Sequence, residues 1–309
     1  MPGAGSGTLL FGKEASFRGS LSPADTAYHF GRNPSIETLS LDRQLERMRE
    51  AGVIEDVEAV AQNLEGSLSI SAVVNGGVHG DVEDIIFNSG PGNGFATGPA
   101  SSATVFVGSE YLSAGGTTNK IRELSGCIPT EYEITYQQGE MTEYSLTMLY
   151  ADESDGSVPT TVNKPSAGQD AAFHSFQLDI DSTRIKKLQS ATLSLSNLYA
   201  YQRGDEQSPL AATLAAPELS VSVTGIWDDP SNQLEYAYGD TGDTTPQQTM
   251  SPHSMTVDID YATTDITQYG LSGCKPTTYG WQDVLNGESD TTETVEWVVA
   301  NGTSGINIT

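Results

Sequence analysis

The amino-acid sequence predicts a mainly β protein built as two tandem β-sandwich or barrel units. Two observations carry this reading. Apolar and polar residues alternate with a period of two in many short stretches, the pattern of strands with one buried face. And Leu124-Ser125-Gly126-Cys127-Ile128-Pro129-Thr130-Glu131-Tyr132 recurs as Leu271-Ser272-Gly273-Cys274-Lys275-Pro276-Thr277-Thr278-Tyr279, an offset of 147 residues. A repeated motif at a long offset suggests a duplicated unit. Three weaker pairs keep the same order in both halves: Thr38-Leu39-Ser40-Leu41 with Thr192-Leu193-Ser194-Leu195, Leu68-Ser69-Ile70-Ser71 with Leu219-Ser220-Val221-Ser222, and Glu143-Tyr144-Ser145-Leu146 with Glu293-Thr294-Val295-Glu296. The expected organisation is a first unit over 1–151, a linker over 152–168 and a second unit over 169–309. Asp155-Gly156-Ser157, Pro159 and Pro165 mark the joint.

The strands follow in chain order. Leu68, Ile70 and Ala72 alternate with Ser67, Ser69 and Ser71. Tyr132, Ile134 and Tyr136 alternate with Glu131, Glu133 and Thr135, and Tyr144, Leu146 and Met148 with Glu143, Ser145 and Thr147. These last two runs predict a hairpin turning at Gln137 to Glu140. In the second half, Leu193 and Leu195 alternate with Thr192, Ser194 and Ser196, and Leu219, Val221 and Val223 with Ser220, Ser222 and Thr224. Met255, Val257 and Ile259 alternate with Thr256, Asp258 and Asp260, and Val295, Trp297 and Val299 lie opposite Thr294 and Glu296.

Helix is scarcer. Val82 to Phe87, preceded by Gly80-Asp81, predicts a short one. Leu41 to Glu50 has Leu41, Leu45 and Met48 at helical spacing with Gly52 as a stop, yet it also reads as an extension of the strand begun at Thr38. Asn88 to Ala103 and Ser231 to Pro252 are expected as long loops.

Composition narrows the function. Acidic residues number 41 against 14 basic ones, a net charge of −27. Duplex DNA is gripped by Lys and Arg that displace its counterions, so this surface repels DNA. The excess of Asp and Glu with few Lys suits a protein that works in high salt. No run of about twenty apolar residues is present to span a membrane. The first residues lack the basic and apolar regions of a signal peptide, so the chain is expected to be made and kept inside the cell unless carried out in a particle. Two cysteines, Cys127 and Cys274, are too few for a disulfide framework or a Cys-based zinc site.

No catalytic constellation is expected. His29, His79, His174 and His253 are not paired at ligand spacing and read as surface or loop residues. No nucleophile elbow is present, and Gly90-Pro91-Gly92-Asn93-Gly94 lacks the Lys-Ser/Thr of a phosphate loop. Asp228-Asp229, or Asp240 with Asp243, could hold a calcium ion, without the regular loop pattern. The expectation is no enzyme activity, no resident metal and no cofactor.

Two features resemble the tail tube protein (major tail protein) of long-tailed viruses. One is the strand Glu65 to Val74 followed by the short helix Val82 to Phe87. The other is the closing Gly-Cys-x-Pro-Thr-x-Tyr hairpin over Gly126 to Tyr150. The likeness extends, more faintly, over Phe176 to Val299. The acidic, Lys-poor composition makes the chain look like a tube protein from a virus of halophilic archaea.

The resemblance implies four strands per unit in an inner barrel shared between subunits, with the short helix outside. Six units would make a ring, so three duplicated chains would close a trimeric, pseudo-sixfold ring. Stacked rings would form a conduit for viral DNA, which passes without specific binding. The polar residues Ser67, Ser69, Ser71, Glu131, Glu133, Thr135, Glu143, Ser145, Thr147, Thr192, Ser194, Ser196, Ser220, Ser222, Thr224, Thr256, Asp258, Asp260, Thr294 and Glu296 become candidates to face the bore. Implied partners are further copies of the chain, the tape measure, the tail terminator and the distal tail protein. The implied location is the virion tail, assembled in the host cytoplasm. Two other readings remain: another virion component, of the distal tail or capsid, and a halophilic carbohydrate-binding β-sandwich module.

Overall fold

The computed structural model describes residues 7–43, 45–48, 58–61, 63–87, 94–95, 99–113, 116–227, 233–261, 264–285 and 290–309. In chain order the strands begin with β1 (Gly7–Lys13), β2 (Thr26–His29), β3 (Arg32–Asp42), β4 (Leu45–Met48), β5 (Glu58–Ala61), β6 (Glu65–Val73) and β7 (Ala103–Ser113). Next come β8 (Gly116–Gln137), β9 (Glu143–Tyr150), β10 (Asp152–Asp155), β11 (Thr161–Asn163), β12 (Phe176–Ile180), β13 (Thr183–Arg184) and β14 (Leu188–Ser196). The last are β15 (Tyr199–Gln202), β16 (Ala211–Leu214), β17 (Glu218–Ile226), β18 (His253–Tyr261), β19 (Thr264–Gln282), β20 (Thr292–Val299) and β21 (Ile306–Ile308). Among the described residues two α-helices, α1 (His79–Phe87) and α2 (Gln233–Tyr238), follow β6 and β17.

The organising feature is an unbroken antiparallel run in the order β3, β6, β9, β8, β14, β17, β20, β19. Four strands come from before residue 151 and four from after 169. The β8–β14 ladder joins the two groups, with Thr192 opposite Thr135 and Ser194 opposite Glu133. Among the described residues the run does not close on itself. Among the described residues, β3 and the Lys275–Gln282 half of β19 are its unpaired edges.

Two long strands link this run to outer strands. The first part of β8 pairs with β7 and β10, and its second part with β9 and β14. Likewise β19 pairs first with β18 and β21, then with β20. Each changes partners at a glycine in the left-handed region, Gly126 (φ 64°) and Gly273 (φ 76°), a conformation that costs other residues a Cβ clash. A Cβ at Gly126 would also lie 2.9 Å from the Ala151 Cβ, and one at Gly273 2.6 Å from Asn301 Cγ. The recurring Leu-Ser-Gly-Cys is therefore the signature of this bend. Cys127 and Cys274, one residue on, are free and buried.

Ladder positions refine the sequence matches. Thr38 lies opposite Ser69, then Thr147, then Glu131; Thr192 lies opposite Ser222, then Glu296, then Thr278. The Thr-Leu-Ser-Leu pair is thus equivalent in the ladders. Leu68, however, shares its position with Val221 rather than Leu219, and Glu143 with Thr292 rather than Glu293. A Ser-rich alternation resembles itself when slid by two, so identity alone misplaces it.

Other expectations change. Leu41 to Glu50 is not helical where described: β3 runs to Asp42 and β4 pairs with β5, because cross-strand partners outweigh a weak helical spacing. Gly52 lies outside the described residues. The expected linker carries β10, paired with β8, and β11, parallel to β2. The polar β10 has no alternation to reveal it. Arg122 on Glu153 at 2.6 Å and Arg18 on Asp152 at 2.7 Å hold it in place. The expected loop 231–252 contains α2, at six residues too short for a visible period. The expected helix at Val82 to Phe87 is present and begins earlier, at His79.

The apolar faces of both groups share one core. Leu68, Ile70, Leu146, Ile134, Leu193, Val221, Val295 and Trp297 are all buried in it, with α1 adding Val82, Ile85 and Ile86. Tyr136 stacks on Phe176 with centroids 4.7 Å apart. A polar network crosses the seam between α1, β8 and β19. Tyr132 Oη lies 3.0 Å from His79 Nε2 and 3.2 Å from Tyr269 Oη. Glu83 Oε1 accepts from Thr267 Oγ1 at 2.6 Å and from the Tyr269 hydroxyl. His79 and His253 are buried, against the surface expectation. His79 belongs to this network, and His253 Nδ1 sits 2.7 Å from Asp181 Oδ2 beneath Tyr236.

Burial raises the Glu83 carboxyl from 4.5 to about 7 and lowers His79 from 6.5 to about 3. A raised carboxyl contributes stability that is full below its unfolded value and lost as pH rises through the folded one; the lowered histidine destabilises as pH falls below 6.5. The two slopes oppose between 4.5 and 6.5. Thermal melts of wild type and Glu83→Gln test this: the Tm difference, wild type minus variant, should fall as pH rises from 4.5 to about 7. A pH-independent difference would contradict the assignment.

Candidate functional site

The face of the eight-strand run opposite the core is built almost wholly from small hydroxyl residues and glutamates. Its rows can be read across the ladders. One row runs Ser35, Ser71, Ser145, Glu133, Ser194, Ser220. The next runs Glu143, Thr135, Thr192, Ser222, Glu296, Thr278. A third carries Thr38, Ser69, Thr147 and Glu131. Period-two alternation puts these side chains on one side because their apolar neighbours are drawn to the other.

The hydroxyls tie neighbouring strands together. Ser40 Oγ and Ser67 Oγ are 2.7 Å apart, Ser69 Oγ and Thr147 Oγ1 3.2 Å, and Thr224 Oγ1 and Thr294 Oγ1 3.0 Å. Ser222 Oγ donates to Glu296 Oε1 at 2.8 Å. Cross-strand pairs of this kind each add a few tenths of a kcal/mol up to about 1. They also hold the hydroxyls in place at the surface. Glu131, Glu133, Glu143, Glu218 and Glu296 share the face, with Lys275 at one margin beside Val298.

Of the candidates read from the sequence, seventeen fall on this face: Ser67, Ser69, Ser71, Glu131, Glu133, Thr135, Glu143, Ser145, Thr147, Thr192, Ser194, Ser196, Ser220, Ser222, Thr224, Thr294 and Glu296. Thr256, Asp258 and Asp260 do not. They lie on β18, between β12 and the first part of β19, outside the run. Alternation identifies a strand with two different faces but not the sheet it joins. Conversely, Ser35, Thr38 and Ser40 on β3 join the face and were not among the candidates. The Thr38-Leu39-Ser40-Leu41 alternation is the signal for Thr38 and Ser40, whereas Ser35 lies beyond a bulge between Ile36 and Thr38.

The β18 residues form a separate acidic cluster. Carboxylate oxygens of Asp258, Asp260 and Asp265 lie within 4.8 Å of one another. Gln177 Nε2 donates to Asp260 Oδ2 at 3.0 Å. Burial, then the neighbouring Asp260 and Asp265 charges, push Asp258 up to about 6. These residues could hold a cation by charge, though exposed acidic groups often cluster without one. Asp240 instead braces its loop, accepting from Ser251 Oγ at 2.8 Å and the Thr241 amide at 2.7 Å. Asp228-Asp229 lies outside the described residues, as does most of the Gly90 to Gly94 segment. Among the described residues no helix is long and apolar enough to cross a membrane.

The fold is thus mainly β, a large open sheet with a hydroxyl-and-carboxylate face, a helix-backed core and, among the described residues, two unpaired edges. The sequence profile of a family described as phage tail tube protein matches residues 7–299, and the chain belongs to that family. It is accordingly a structural component of a virion. No individual curated protein matches the chain.

The raised Asp258 contributes stability that is full below its unfolded value of 3.8 and lost as pH climbs to about 6. Asp258→Asn should therefore melt at a higher temperature than wild type at pH 7, with the gap closing near pH 4. Molar salt should narrow the gap at pH 7 by screening the charges on half-buried Asp260 and exposed Asp265. Equal melting temperatures at both pH values would count against mutual repulsion in the cluster.

Proposed function

We propose that this chain polymerises as stacked rings into a tail tube, and that the hydroxyl-and-glutamate face of the eight-strand run lines its bore. The observation that carries this reading is the run itself, a sheet with one polar face, one core face and both edges open. In this reading 1–151 and 169–309 are two copies of one unit. The segment 152–168 connects them and is bound into the first by β10 and β11. Each copy supplies four strands, so three chains close a trimeric ring of pseudo-sixfold symmetry. Closed ring contacts are heterologous, whereas ring-on-ring stacking is open-ended and yields a tube.

The chemistry of the face suits passage of a polyanion. A phosphate backbone binds tightly where Lys and Arg displace its counterions. A bore of Ser, Thr and Glu offers it hydration and repulsion instead, so the duplex slides. High salt would confine that repulsion to a few ångströms without reversing its sign. The net charge of −27 is consistent with a virus whose host, a halophilic archaeon in this reading, keeps its interior salty. Thr256, Asp258 and Asp260 lie away from the proposed bore, on β18. The partners in this reading are further copies of the chain, a tape measure, a terminator and a distal tail protein. Assembly takes place in the host cytoplasm.

Electron microscopy of the purified protein tests the assembly. Rings or tubes with a central hole and threefold or sixfold symmetry are expected; a monomer at all salt concentrations would overturn the reading, and a monomer that binds glycans would favour a carbohydrate-binding module. Virus particles carrying Glu133→Lys with Glu143→Lys test the lining. Both side chains sit on the solvent side of the run, so folding should be nearly unchanged while genome ejection slows. Ejection at the wild-type rate would remove these residues from the bore.

A further inference from the structure

Resting on the ring reading above, we propose the register in which one chain joins the next. The β3 edge of a second copy adds to the free half of β19, with Leu41 opposite Tyr279, Ser40 opposite Gly280, Leu39 opposite Trp281 and Thr38 opposite Gln282.

The argument uses the seam already present inside the chain. There β14 lies antiparallel to β8, with Leu195 opposite Tyr132, Ser194 opposite Glu133, Leu193 opposite Ile134 and Thr192 opposite Thr135. The ladders make Thr38, Leu39, Ser40 and Leu41 of β3 the counterparts of Thr192, Leu193, Ser194 and Leu195, once the bulge between Ile36 and Thr38 is allowed for. They make Tyr279, Gly280, Trp281 and Gln282 the counterparts of Tyr132, Glu133, Ile134 and Thr135. In the chain, β8 is covered by β14. Among the described residues the equivalent edge of β19 and the outer edge of the equivalent strand β3 have no strand partner, although Ser40 O accepts from the Tyr150 hydroxyl at 2.7 Å.

Burial follows the same division. At the covered seam Leu193 is 1% exposed, Leu195 0%, Ile134 0% and Tyr132 1%. At the open edges Leu41 is 40% exposed and Trp281 45%. Large apolar side chains at a strand edge, next to unpaired backbone groups, are what a natural edge avoids unless another strand covers it. The second copy supplies that strand, and it buries the same positions that the internal seam buries. A Cβ at Gly280 would meet nothing within 4 Å, so space is open on the β19 side.

Disulfide trapping in assembled rings tests the register. Ser40→Cys with Gly280→Cys, and separately Thr38→Cys with Gln282→Cys, place thiols at paired positions. Ser40→Cys with Gln282→Cys is the slipped control, since two residues displace the partner by about 7 Å along the strand, beyond normal disulfide reach. Cys127 and Cys274 are fully buried and stay out of the reaction. On oxidation, both in-register pairs should lose the monomer band on a non-reducing gel and give covalent multimers of the ring's copy number, while the control stays monomeric. Rings that form but link only in the control, or in none, would overturn the register and leave the tube reading standing. Wild-type protein that forms no rings would remove both. The Thr38/Gln282 pair keeps the test decisive if replacing Gly280 impairs folding.

Discussion

Everything in this molecule depends on where the backbone hydrogen bonds of a long antiparallel sheet can go. Buried N–H and C=O groups must be paired, and a sheet of fixed width always leaves two rows unpaired at its edges. The chain meets this constraint in the middle of its run through the β8–β14 ladder, which fuses two four-strand groups. At the ends, among the described residues, it leaves β3 and the last part of β19 without a strand partner. A protein that worked alone would need to blunt those edges. The chain belongs to the phage tail tube family, which implies self-assembly, and in the ring proposed above these edges are where a further copy would add.

The two faces of the run divide the remaining work. One face is a single apolar layer backed by α1 and the outer strands, and it carries the stability. Among its polar intrusions, His79, Tyr132, Tyr269, Glu83 and Thr267 form one connected group, while His79 Nδ1 and Trp297 Nε1 are buried without a hydrogen-bond partner among the described residues. Removing any member would leave a buried polar atom unsatisfied, which costs more than the bond itself contributes. The network therefore favours one placement of α1 against β19. The other face carries no core. Its hydroxyls bond across strands to each other and, at Ser222, to the Glu296 carboxylate. A surface of that kind is cheap to hydrate and repels a polyanion.

The bends at Gly126 and Gly273 connect these roles. Each lets one long strand serve two layers, outer strands before the glycine and the inner run after it. The eight-strand run is thereby tied covalently, at two places, to the strands that pair before each glycine, which resists sliding of one group over the other.

What the sequence alone determined was local. Alternation revealed the strands and their two faces, because side-chain direction has a period of two whatever the strand pairs with. Composition determined the sign of the charge, and the repeated Leu-Ser-Gly-Cys marked the two bends. The hairpin at Gln137 to Glu140 and the helix at Val82 to Phe87 were legible for the same reason. What only the tertiary structure decided was partnership. Thr256, Asp258 and Asp260 alternate as cleanly as Thr192, Ser194 and Ser196, yet β18 joins a different part of the sheet. The polar β10 and the six-residue α2 carry too little pattern to be seen, and His79 and Glu83 look like surface residues until the fold buries them. Pairing between distant strands is chosen by the sum of packing and hydrogen bonding over the whole sheet, and no short stretch of sequence contains that sum.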